Sequence, residues 1–391
     1  MSEKQENKIR VLHIITRLIV GGAQQNTILT VAGLQGLGDY ELTLLSGPQT
    51  GPEGSLIEEA AASCKLRILP ELRRNINPYY DLIAFIKLIR FIKKSRFDII
   101  HTHSSKAGIL GRWAARLAGK NIIVHTVHGW GHHDFQHPLI RFLYISLEKL
   151  TLLITHKLIG VSKVNIENGL VNGIGKVNNY SLIRSGIDLE RFKHPRGHQE
   201  QLRSKLGIPP GVPVVGTVTR LSAQKAPLDF IRACAIIAES NPEAWFVIVG
   251  DGPLKSEAES LTKKLALEKR LVFTGLRDDV PELMSLFNIF ALSSLWEGLP
   301  RVLPQAMARG LPIVATNIDG NAEAVINEEN GLLVAPGDYK ALAQSILSLL
   351  DKPQTAALMG KNGFKRVEEF AAQKMIKEID SLYKGLLSCG K

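Results

Sequence analysis

The sequence predicts an α/β protein that contains two doubly wound parallel sheets. Ten short strand-like runs alternate along the chain with helical stretches, which is typical of consecutive βαβ units. Most of these runs are β-branched and continuous rather than alternating in polarity, as expected of strands that helices cover on both faces. The chain has 391 residues, more than one hydrophobic core usually holds, so we expect two domains.

The predicted strands form two groups of five. They span 10–15, 40–46, 98–103, 121–126 and 157–161 in the first half, and 212–219, 245–250, 270–274, 288–294 and 311–316 in the second. A polar, proline-rich stretch without sustained periodicity separates the groups, and 338–387 shows helical patterns only. We predict an N-terminal domain (1–190), a linker (191–212), a C-terminal domain (213–370) and a terminal helix (371–391).

The composition favours a reducing compartment. Cys64, Cys234 and Cys389 are far apart and odd in number, which argues against a disulfide framework or a zinc site. Residues 1–8 lack the apolar core of a signal peptide, and the most apolar long stretch, 150–161, is too short to span a bilayer. We therefore expect a cytoplasmic protein.

Positive charge is concentrated in the first half. The formal net charge is +11, and residues 65–120 hold 13 basic but only 3 acidic residues. This imbalance suggests an anionic partner such as nucleic acid, lipid phosphate or an anionic membrane. For any one lysine, a solvated surface is the simpler explanation.

The most informative segment is 295–323, where a predicted strand runs into Glu297, a short helix and another strand. Open α/β sheets bind ligands beyond the carboxyl ends of their strands, and a helix N-terminus there suits phosphate. Glu297 can accept hydrogen bonds from sugar hydroxyls, and the amides of Gly298 and Leu299 can face a phosphate. The alternative is a capping acid in an ordinary loop.

Two cations, Arg220 and Lys225, follow the first predicted strand of the second half. A guanidinium fork and an ammonium can neutralise the charge of a leaving nucleoside diphosphate. The chain contains no Asp-x-Asp triplet, so the usual carboxylate pair for a diphosphate-bound metal is missing and we predict no metal. The alternative is a pair of surface cations.

The next two predicted strands end in glycine-containing turns with Gly250, Gly252, Thr274 and Gly275. The first turn is not a dinucleotide fingerprint, because Lys255 stands where the third glycine would be. Taken alone, these turns are explained as ordinary loops that bind no ligand. The same holds for the segment 319–323, which contains Glu323.

In the first half, Gly21 and Gly22 follow the first predicted strand, and Ser104 and Ser105 follow the third. Seven of the eleven histidines lie between His101 and His137. A metal site built from His132, His133 and His137 is conceivable, but no acid or cysteine completes a convincing ligand set.

Together these segments resemble the family 4 retaining glycosyltransferases of bacterial polysaccharide and lipid-linked oligosaccharide synthesis, over nearly the whole chain. The resemblance implies a GT-B fold, in which two Rossmann-like domains face each other across a cleft. The N-terminal domain would bind a glycan or lipid-linked acceptor and the C-terminal domain a UDP- or GDP-sugar. The last helices would cross back onto the first domain.

The resemblance also assigns roles to residues. His128 would face the donor sugar and, with Glu297, Arg220 and Lys225, take part in catalysis. Donor-binding positions would be Gly22, Gly250, Gly252, Thr274, Gly275, Gly298, Leu299, Gln305 and Glu323, and acceptor-binding positions would be Gly21, Ser104 and Ser105. It implies no metal, no cofactor other than the nucleotide-sugar substrate, and no nucleic acid.

The chain departs from the family pattern at Gln305, where a second acid usually holds the ribose hydroxyls. Pro304 beside it belongs in the first turn of a helix. Gln305 therefore suggests a catalytically inactive partner subunit as one alternative. A nucleotide-sugar epimerase of the same fold is a second alternative.

Asn77 and Pro78 predict the start of a helix. Its apolar stripe would hold Leu82, Phe85, Ile86 and Ile89, and a basic stripe would hold Lys87, Arg90 and Lys94. A core helix with a solvated basic face and a helix that docks peripherally on the inner face of the cell membrane explain the pattern equally well.

Overall fold

The computed structural model of the chain describes residues 8–49, 51, 53–132, 136–197, 199–318 and 320–389. The chain divides into two compact units. Unit 1 comprises residues 1–186 and 372–391, and unit 2 comprises residues 187–371. Each unit is built around one parallel sheet, so the predicted α/β class with two doubly wound sheets is confirmed.

The sheet of unit 1 has seven parallel strands in the order β3-β2-β1-β4-β5-β6-β7. They are β1 (Ile9–Ile15), β2 (Tyr40–Ser46), β3 (Lys65–Ile68), β4 (Ile99–His103), β5 (Ile122–Val127), β6 (Lys157–Gly160) and β7 (Tyr180–Leu182). Val11 and Leu12 of β1 belong to cores on opposite faces, as alternate residues of a central strand should.

Helices cover both faces of this sheet. They are α1 (Gly22–Gly36), α2 (Ile57–Ser63), α3 (Pro78–Lys94), α4 (Ser105–Leu117), α5 (Pro138–Leu152), α6 (Lys163–Val171) and, from the end of the chain, α16 (Ala372–Cys389). The terminal helix α16 packs on α1, where Ile376 fills the space over Gly33. Met375, Ile379 and Tyr383 of α16 lie in the same core as Val11.

The sheet of unit 2 has six parallel strands in the order β10-β9-β8-β11-β12-β13. They are β8 (Val214–Val218), β9 (Trp245–Val249), β10 (Leu271–Gly275), β11 (Ile289–Leu292), β12 (Ile313–Thr316) and β13 (Gly331–Val334). The helices of this unit are α7 (Leu189–Lys193), α8 (Gln199–Lys205), α9 (Pro227–Ser240), α10 (Lys255–Lys264), α11 (Val280–Met284), α12 (Val302–Ala308), α13 (Asn321–Ala324), α14 (Tyr339–Asp351) and α15 (Pro353–Arg366).

Three strands escaped prediction, and all three are edge strands. β3, β7 and β13 have three or four residues each and lie at the ends of their sheets. A short edge strand has one neighbour and little cover, so it needs no continuous apolar run. The sequence of β3, Lys-Leu-Arg-Ile, illustrates this lack of pattern.

The predicted linker 191–212 is wrong, because this segment belongs to unit 2 and contains helices. Phe192 of α7 is buried, and Arg309 donates hydrogen bonds to the carbonyls of Phe192 and Lys193 at 3.0 and 3.2 Å. Of the prolines that suggested a linker, Pro195 lies between α7 and α8, and the others lie between α8 and β8. Proline ends a helix but does not prevent its neighbours from packing.

The predicted apolar stripe of α3 is right only in part. The face that packs on the sheet carries Ala84, Leu88 and Ile92, with Phe85 and Ile89 partly buried beside them, whereas Leu82 and Ile86 are exposed. The helix is apolar around more than half of its circumference, so periodicity alone could not identify the buried face. Among the described helices, none is a candidate for a membrane span.

Candidate active site

The two central strands of unit 2, β8 and β11, are neighbours in the sheet. The strands that follow β8 in the chain are added on one side of this pair, and those that follow β11 are added on the other side. Such a topological switch point leaves a crevice at the carboxyl ends of the two strands, where open α/β sheets bind ligands. Arg220 lies just after β8, and Lys225 ends the short 3-10 turn Ala223–Lys225. Glu297 lies in the loop after β11. The fold thus brings together residues 72 positions apart in the sequence.

Lys225 and Glu297 form a direct ion pair at this switch point. The Lys225 ammonium contacts Glu297 Oε1, and Ser294 Oγ donates to the same oxygen at 2.7 Å. Glu297 is buried and Lys225 is mostly buried. A buried pair of this kind is costly to separate unless new partners replace the old ones, which suits a site that receives a polar, charged ligand.

Backbone contacts fix the two loops against each other. Leu295 N donates to the Gln224 carbonyl at 2.8 Å, and Gln224 Nε2 donates to the Trp296 carbonyl at 2.9 Å. Ala226, which follows Lys225, has φ +43° and ψ +54°, in the left-handed region. Alanine is strained there by about 1–2 kcal/mol.

The turns after β9 and β10 lie beside the same crevice. Gly250 has φ +139°, and a Cβ there would lie 1.9 Å from the Thr219 carbonyl oxygen, so only glycine fits. Gly250 N also donates to the Gly275 carbonyl at 2.9 Å. Gly252 packs against the backbone of Leu221, and Thr274 Oγ1 donates to the Gly275 carbonyl at 3.1 Å.

The loop before α13 contacts the backbone that follows Glu297. A Cβ on Gly320 would lie 1.9 Å from the Gly298 carbonyl oxygen and 2.8 Å from Leu299 Cα. Glu323 lies one turn further, on α13, and its carbonyl accepts a hydrogen bond from Arg366 at 3.1 Å. Asp319, in the same predicted motif, lies outside the described residues. The crevice therefore has Gly298, Leu299 and α13 on its β12 side.

Unit 1 has its own switch point between β1 and β4. Gly21 and Gly22 begin α1 after β1, and Ser104 and Ser105 begin α4 after β4. Thr16 Oγ1 and Ser104 Oγ are 2.7 Å apart, which ties the two loops together. Ser104 has φ +62°, and such strain in a non-glycine residue often marks a functional site.

Comparisons with known proteins agree with this architecture. The model for glycosyl transferases group 1 matches residues 198–366, and the model for Glycosyltransferase Family 4 matches residues 20–191. A galactosyltransferase from Escherichia coli, described as UDP-Gal:alpha-D-GlcNAc-diphosphoundecaprenol alpha-1,3-galactosyltransferase, is 33% identical over 382 residues, which are 96% of this chain and 97% of that protein. The chain belongs to glycosyltransferase family 4.

Other relatives and solved structures extend the comparison. A Campylobacter jejuni N,N'-diacetylbacillosaminyl-diphospho-undecaprenol alpha-1,3-N-acetylgalactosaminyltransferase is 28% identical over 80% of this chain and 85% of its own. The crystal structure of Anabaena HepE with UDP-glucose has a TM-score of 0.82 at 22% identity, and covers 96% of this chain and all of that one. A sucrose-phosphate synthase from Thermosynechococcus elongatus has a TM-score of 0.83 at 24% identity, and covers 98% of this chain and 100% of that one. The predicted GT-B fold class is confirmed.

Gln305 of this family 4 enzyme is buried on α12, eight residues after Glu297. Arg301 precedes the helix and Pro304 is its third residue. Proline therefore lies in the first turn, where its missing N–H has no intrahelical partner to lose. The predicted helix start around Pro304 is confirmed, and the role of Gln305 at the ribose stays a prediction.

We expect Gln305→Glu to preserve or tighten nucleotide binding, by up to about tenfold, because a hydrogen bond to a charged group is stronger than one to an amide. Titration calorimetry with UDP and GDP measures this. Gln344→Glu, an exposed change of the same charge on α14, is the matched control and should leave binding unchanged. Markedly weaker binding in Gln305→Glu alone would show that the site is built around the amide.

His128 follows β5 in unit 1 and is half-buried. Its Nε2 lies 3.1 Å from His103 Nδ1. Of the metal ligands considered from sequence, His133 lies outside the described residues, and His137 caps α5 by accepting the Leu139 amide at 3.3 Å. The abundance of histidines was visible in the sequence, but their grouping was not predicted. Their signal was the period-two spacing of His101 and His103 on one strand, which turns both rings to the same face.

Proposed function

We propose that this glycosyltransferase moves a sugar from a UDP-sugar to a hydroxyl of a lipid-linked saccharide and retains the anomeric configuration. The E. coli relative is named for a UDP-Gal donor and a diphosphoundecaprenol-linked acceptor, and the C. jejuni relative for an acceptor of the same lipid class. Within this chain, the proposal rests on the Lys225–Glu297 pair at the switch point of unit 2.

The pair suggests how the donor is received. The diphosphate of a UDP-sugar carries negative charge that Arg220 and Lys225 can neutralise, both in the ground state and as charge develops on the leaving group. When Lys225 turns to the diphosphate, Glu297 exchanges its ammonium partner for sugar hydroxyls and keeps Ser294. The amides of Gly298 and Leu299 complete the phosphate contacts. The role we propose for His128 is to steady positive charge at the anomeric carbon.

The test is a transfer assay with the full chain, a panel of UDP-, GDP- and ADP-sugars, and an undecaprenyl-diphosphate-linked N-acetylhexosamine. We expect one released UDP for each sugar transferred, and an α-linked product from an α-linked donor by NMR. Isomerised nucleotide sugar without release of UDP would favour an epimerase. A chain that binds none of the nucleotide sugars, by thermal shift, would favour an inactive partner subunit.

Activity is expected to survive EDTA, because two cations stand at the crevice where other enzymes use a metal held by an Asp-x-Asp pair. The measurement is the transfer rate before and after chelation and dialysis. Abolished activity that Mg²⁺ or Mn²⁺ restores would contradict this. The proposal includes no resident cofactor, since the nucleotide sugar is consumed as a substrate.

A basic cavity in unit 1 supports a phosphate-bearing acceptor. It has a volume of about 730 Å³, and Arg17, Arg73, Arg74, Asn75 and Tyr80 are among its lining residues. Arg17 makes a bidentate contact with Glu53 at 3.1 Å, and the Arg73 guanidinium lies 3.8 Å above the Tyr80 ring. The lining thus holds three guanidinium groups and one carboxylate, Glu53, and the excess positive charge suits an anion.

Exposed apolar side chains in unit 1 support a lipid environment. On α5, Leu139 and Phe142 are 70% and 68% exposed, and Leu143 beside them is exposed as well. On α3, Tyr79 and Leu82 are exposed one turn apart. Sequence reasoning identified α3 but not α5. We propose that these surfaces, with nearby basic residues, dock unit 1 on an anionic membrane.

We expect Arg90→Glu/Lys93→Glu/Lys94→Glu to weaken binding to anionic vesicles and to slow transfer to the lipid acceptor. All three residues are exposed on α3, whereas Lys87 pairs with Glu71 at 2.6 Å and is left out. Each basic residue near such a surface contributes about 1 kcal/mol, and the attraction fades with salt.

Co-sedimentation at low and high salt, with neutral vesicles for comparison, measures this docking. Lys263→Glu/Lys264→Glu on α10 of unit 2 is the matched control, and it should leave vesicle binding and transfer unchanged. Equal binding of the parent chain to neutral and anionic vesicles, or to neither, would favour a water-soluble acceptor.

A further inference from the structure

A continuous line of hydrogen bonds runs through the core of unit 1 from the terminal helix to His128. Tyr383 Oη on α16 lies 2.5 Å from His101 Nδ1 and 3.3 Å from His13 Nε2. His13 Nδ1 lies 3.0 Å from His103 Nε2, and His103 Nδ1 lies 3.1 Å from His128 Nε2. At the other end, His101 Nε2 lies 2.7 Å from Thr126 Oγ1. Both ring nitrogens of His13, His101 and His103 are thus used.

The rings are arranged end to end along this line. The centroids of His13 and His103 are 5.2 Å apart with the planes only 14° from parallel, while their facing nitrogens are 3.0 Å apart. His103 and His128 repeat this arrangement at 5.3 Å and 29°. Face-to-face stacking would bring the centroids closer than this, so the short nitrogen–nitrogen distances are in-plane hydrogen bonds.

The three buried rings are neutral at neutral pH. Burial lowers the pKa of His13 to about 3, and burial together with neighbouring imidazoles holds the pKa of His101 and His103 well below the usual range. A neutral imidazole has one N–H and one lone pair. Each ring must therefore donate at one nitrogen and accept at the other, so the direction of one bond sets the direction of all the others.

Tyr383 decides which direction holds. A hydroxyl has one proton, and His101 Nδ1 is the nearer acceptor. Tyr383 therefore accepts from His13 Nε2–H, His13 Nδ1 accepts from His103 Nε2–H, and His103 Nδ1 accepts from His128 Nε2–H. His101 is left with its proton on Nε2, which Thr126 Oγ1 can accept. In the reverse direction, Tyr383 would donate across 3.3 Å and His128 would carry its proton on Nδ1.

We propose that Tyr383, His13 and His103 are positioning residues that hold His128 in the tautomer with its proton on Nε2. The lone pair of His128 then lies on Nδ1, where an electron pair can steady positive charge at a reacting carbon. The stabilisation of the reacting carbon rests on the role proposed for His128 above, whereas the proposed tautomer does not. The terminal helix thereby contributes to the chemistry of unit 1 through one phenol.

His13, His101 and His103 also meet the geometric conditions for a metal cluster, with candidate ligand atoms within 4.8 Å of one another. A metal requires a lone pair from each ring directed at one point. Here each of the six ring nitrogens already faces a hydrogen-bonding partner in the line. The side-chain geometry therefore matches a chain of hydrogen bonds and not a metal site.

The test is the protonation of the imidazole nitrogens, read from long-range ¹H–¹⁵N correlations of the full chain labelled with ¹⁵N-histidine at pH 7.5. His128→Gln assigns the His128 signals. We expect the parent chain to carry the His128 proton on Nε2. In Tyr383→Phe, His13 Nε2–H loses its acceptor, so we expect His13, His103 and His128 to shift together to the Nδ1–H form. We also expect kcat to fall about tenfold, with an unchanged KM for the nucleotide sugar.

Tyr40→Phe is the matched control. Tyr40 is buried beside Tyr383, with ring centroids 6.1 Å apart, and its hydroxyl bonds Asp380 of the same helix at 2.6 Å, outside the line. It should change neither the tautomer nor kcat. A parent His128 protonated on Nδ1, an unchanged His128 in Tyr383→Phe, or stoichiometric metal in the purified chain would each overturn the proposal. If instead His128→Gln transfers sugar normally, the role of His128 fails while the tautomer result stands.

Discussion

Glu297→Gln is expected to lower kcat/KM for sugar transfer by about ten- to hundredfold while the chain keeps its fold. A charge-assisted hydrogen bond is worth about 1.5–3 kcal/mol, and the amide that replaces the carboxylate is uncharged. The substitution also removes the negative charge that Lys225 contacts in the structure. The variant should therefore lose both the orientation of the donor sugar and the position of the ammonium that meets the diphosphate.

Initial rates with the identified donor, together with thermal unfolding of the variant, measure this effect. Glu257→Gln, an exposed change on α10, is the control and should leave kcat/KM and thermal unfolding unchanged. Because Glu297 and Lys225 touch, their effects should not be independent. We expect Glu297→Gln/Lys225→Met to lose less than the two single variants predict together. A loss below about threefold for Glu297→Gln, under 1 kcal/mol, would remove Glu297 from the site.

The fold could be predicted because its central strands are covered on both faces. Strand β11 is buried and apolar at every position, and the last five residues of β1 are buried, four of them apolar, so such strands are easy to recognise. The edge strands β3, β7 and β13 and part of the buried face of α3 escaped, because in both cases more than one arrangement satisfies the pattern. Helix α7 was taken for a linker for a related reason: five residues are too few to show a period.

The grouping of Arg220, Lys225 and Glu297 at one edge of the sheet was predictable because these residues follow strand ends. Arg220, Lys225 and Glu297 are separated in sequence, but the doubly wound topology returns each strand end to the same edge. The contact between Lys225 and Glu297 depends on the strand order, which the sequence does not state. The line from Tyr383 to His128 was beyond reach for the same reason, since it joins β1, β4 and the end of the chain.

Lowering the pH from 7.5 to 5 is expected to unfold unit 1 while unit 2 stays folded. His13, His101, His103 and His125 are buried, and burial is the main cause that lowers the pKa of each, to about 3 for His13 and well below the usual range for the others. In the unfolded chain each binds a proton with a pKa of about 6.5. The unfolded state therefore takes up more protons as the pH falls, and the free energy of unfolding decreases below that value.

The expected loss is large because four groups act together. At pH 5 a histidine that stays neutral in the folded chain lowers the free energy of unfolding by about 2 kcal/mol, and the four groups act in the same direction. A whole domain typically has about 5–15 kcal/mol. Hydrogen exchange read by mass spectrometry follows each unit separately, through peptides from β1 and β4 and from β8 and β11. Unit 2 is the internal control, since His194 is the one histidine among its described residues and is exposed. Protection that falls equally in both units, or that persists in unit 1 at pH 5, would mean that the buried histidines titrate close to their ordinary pKa.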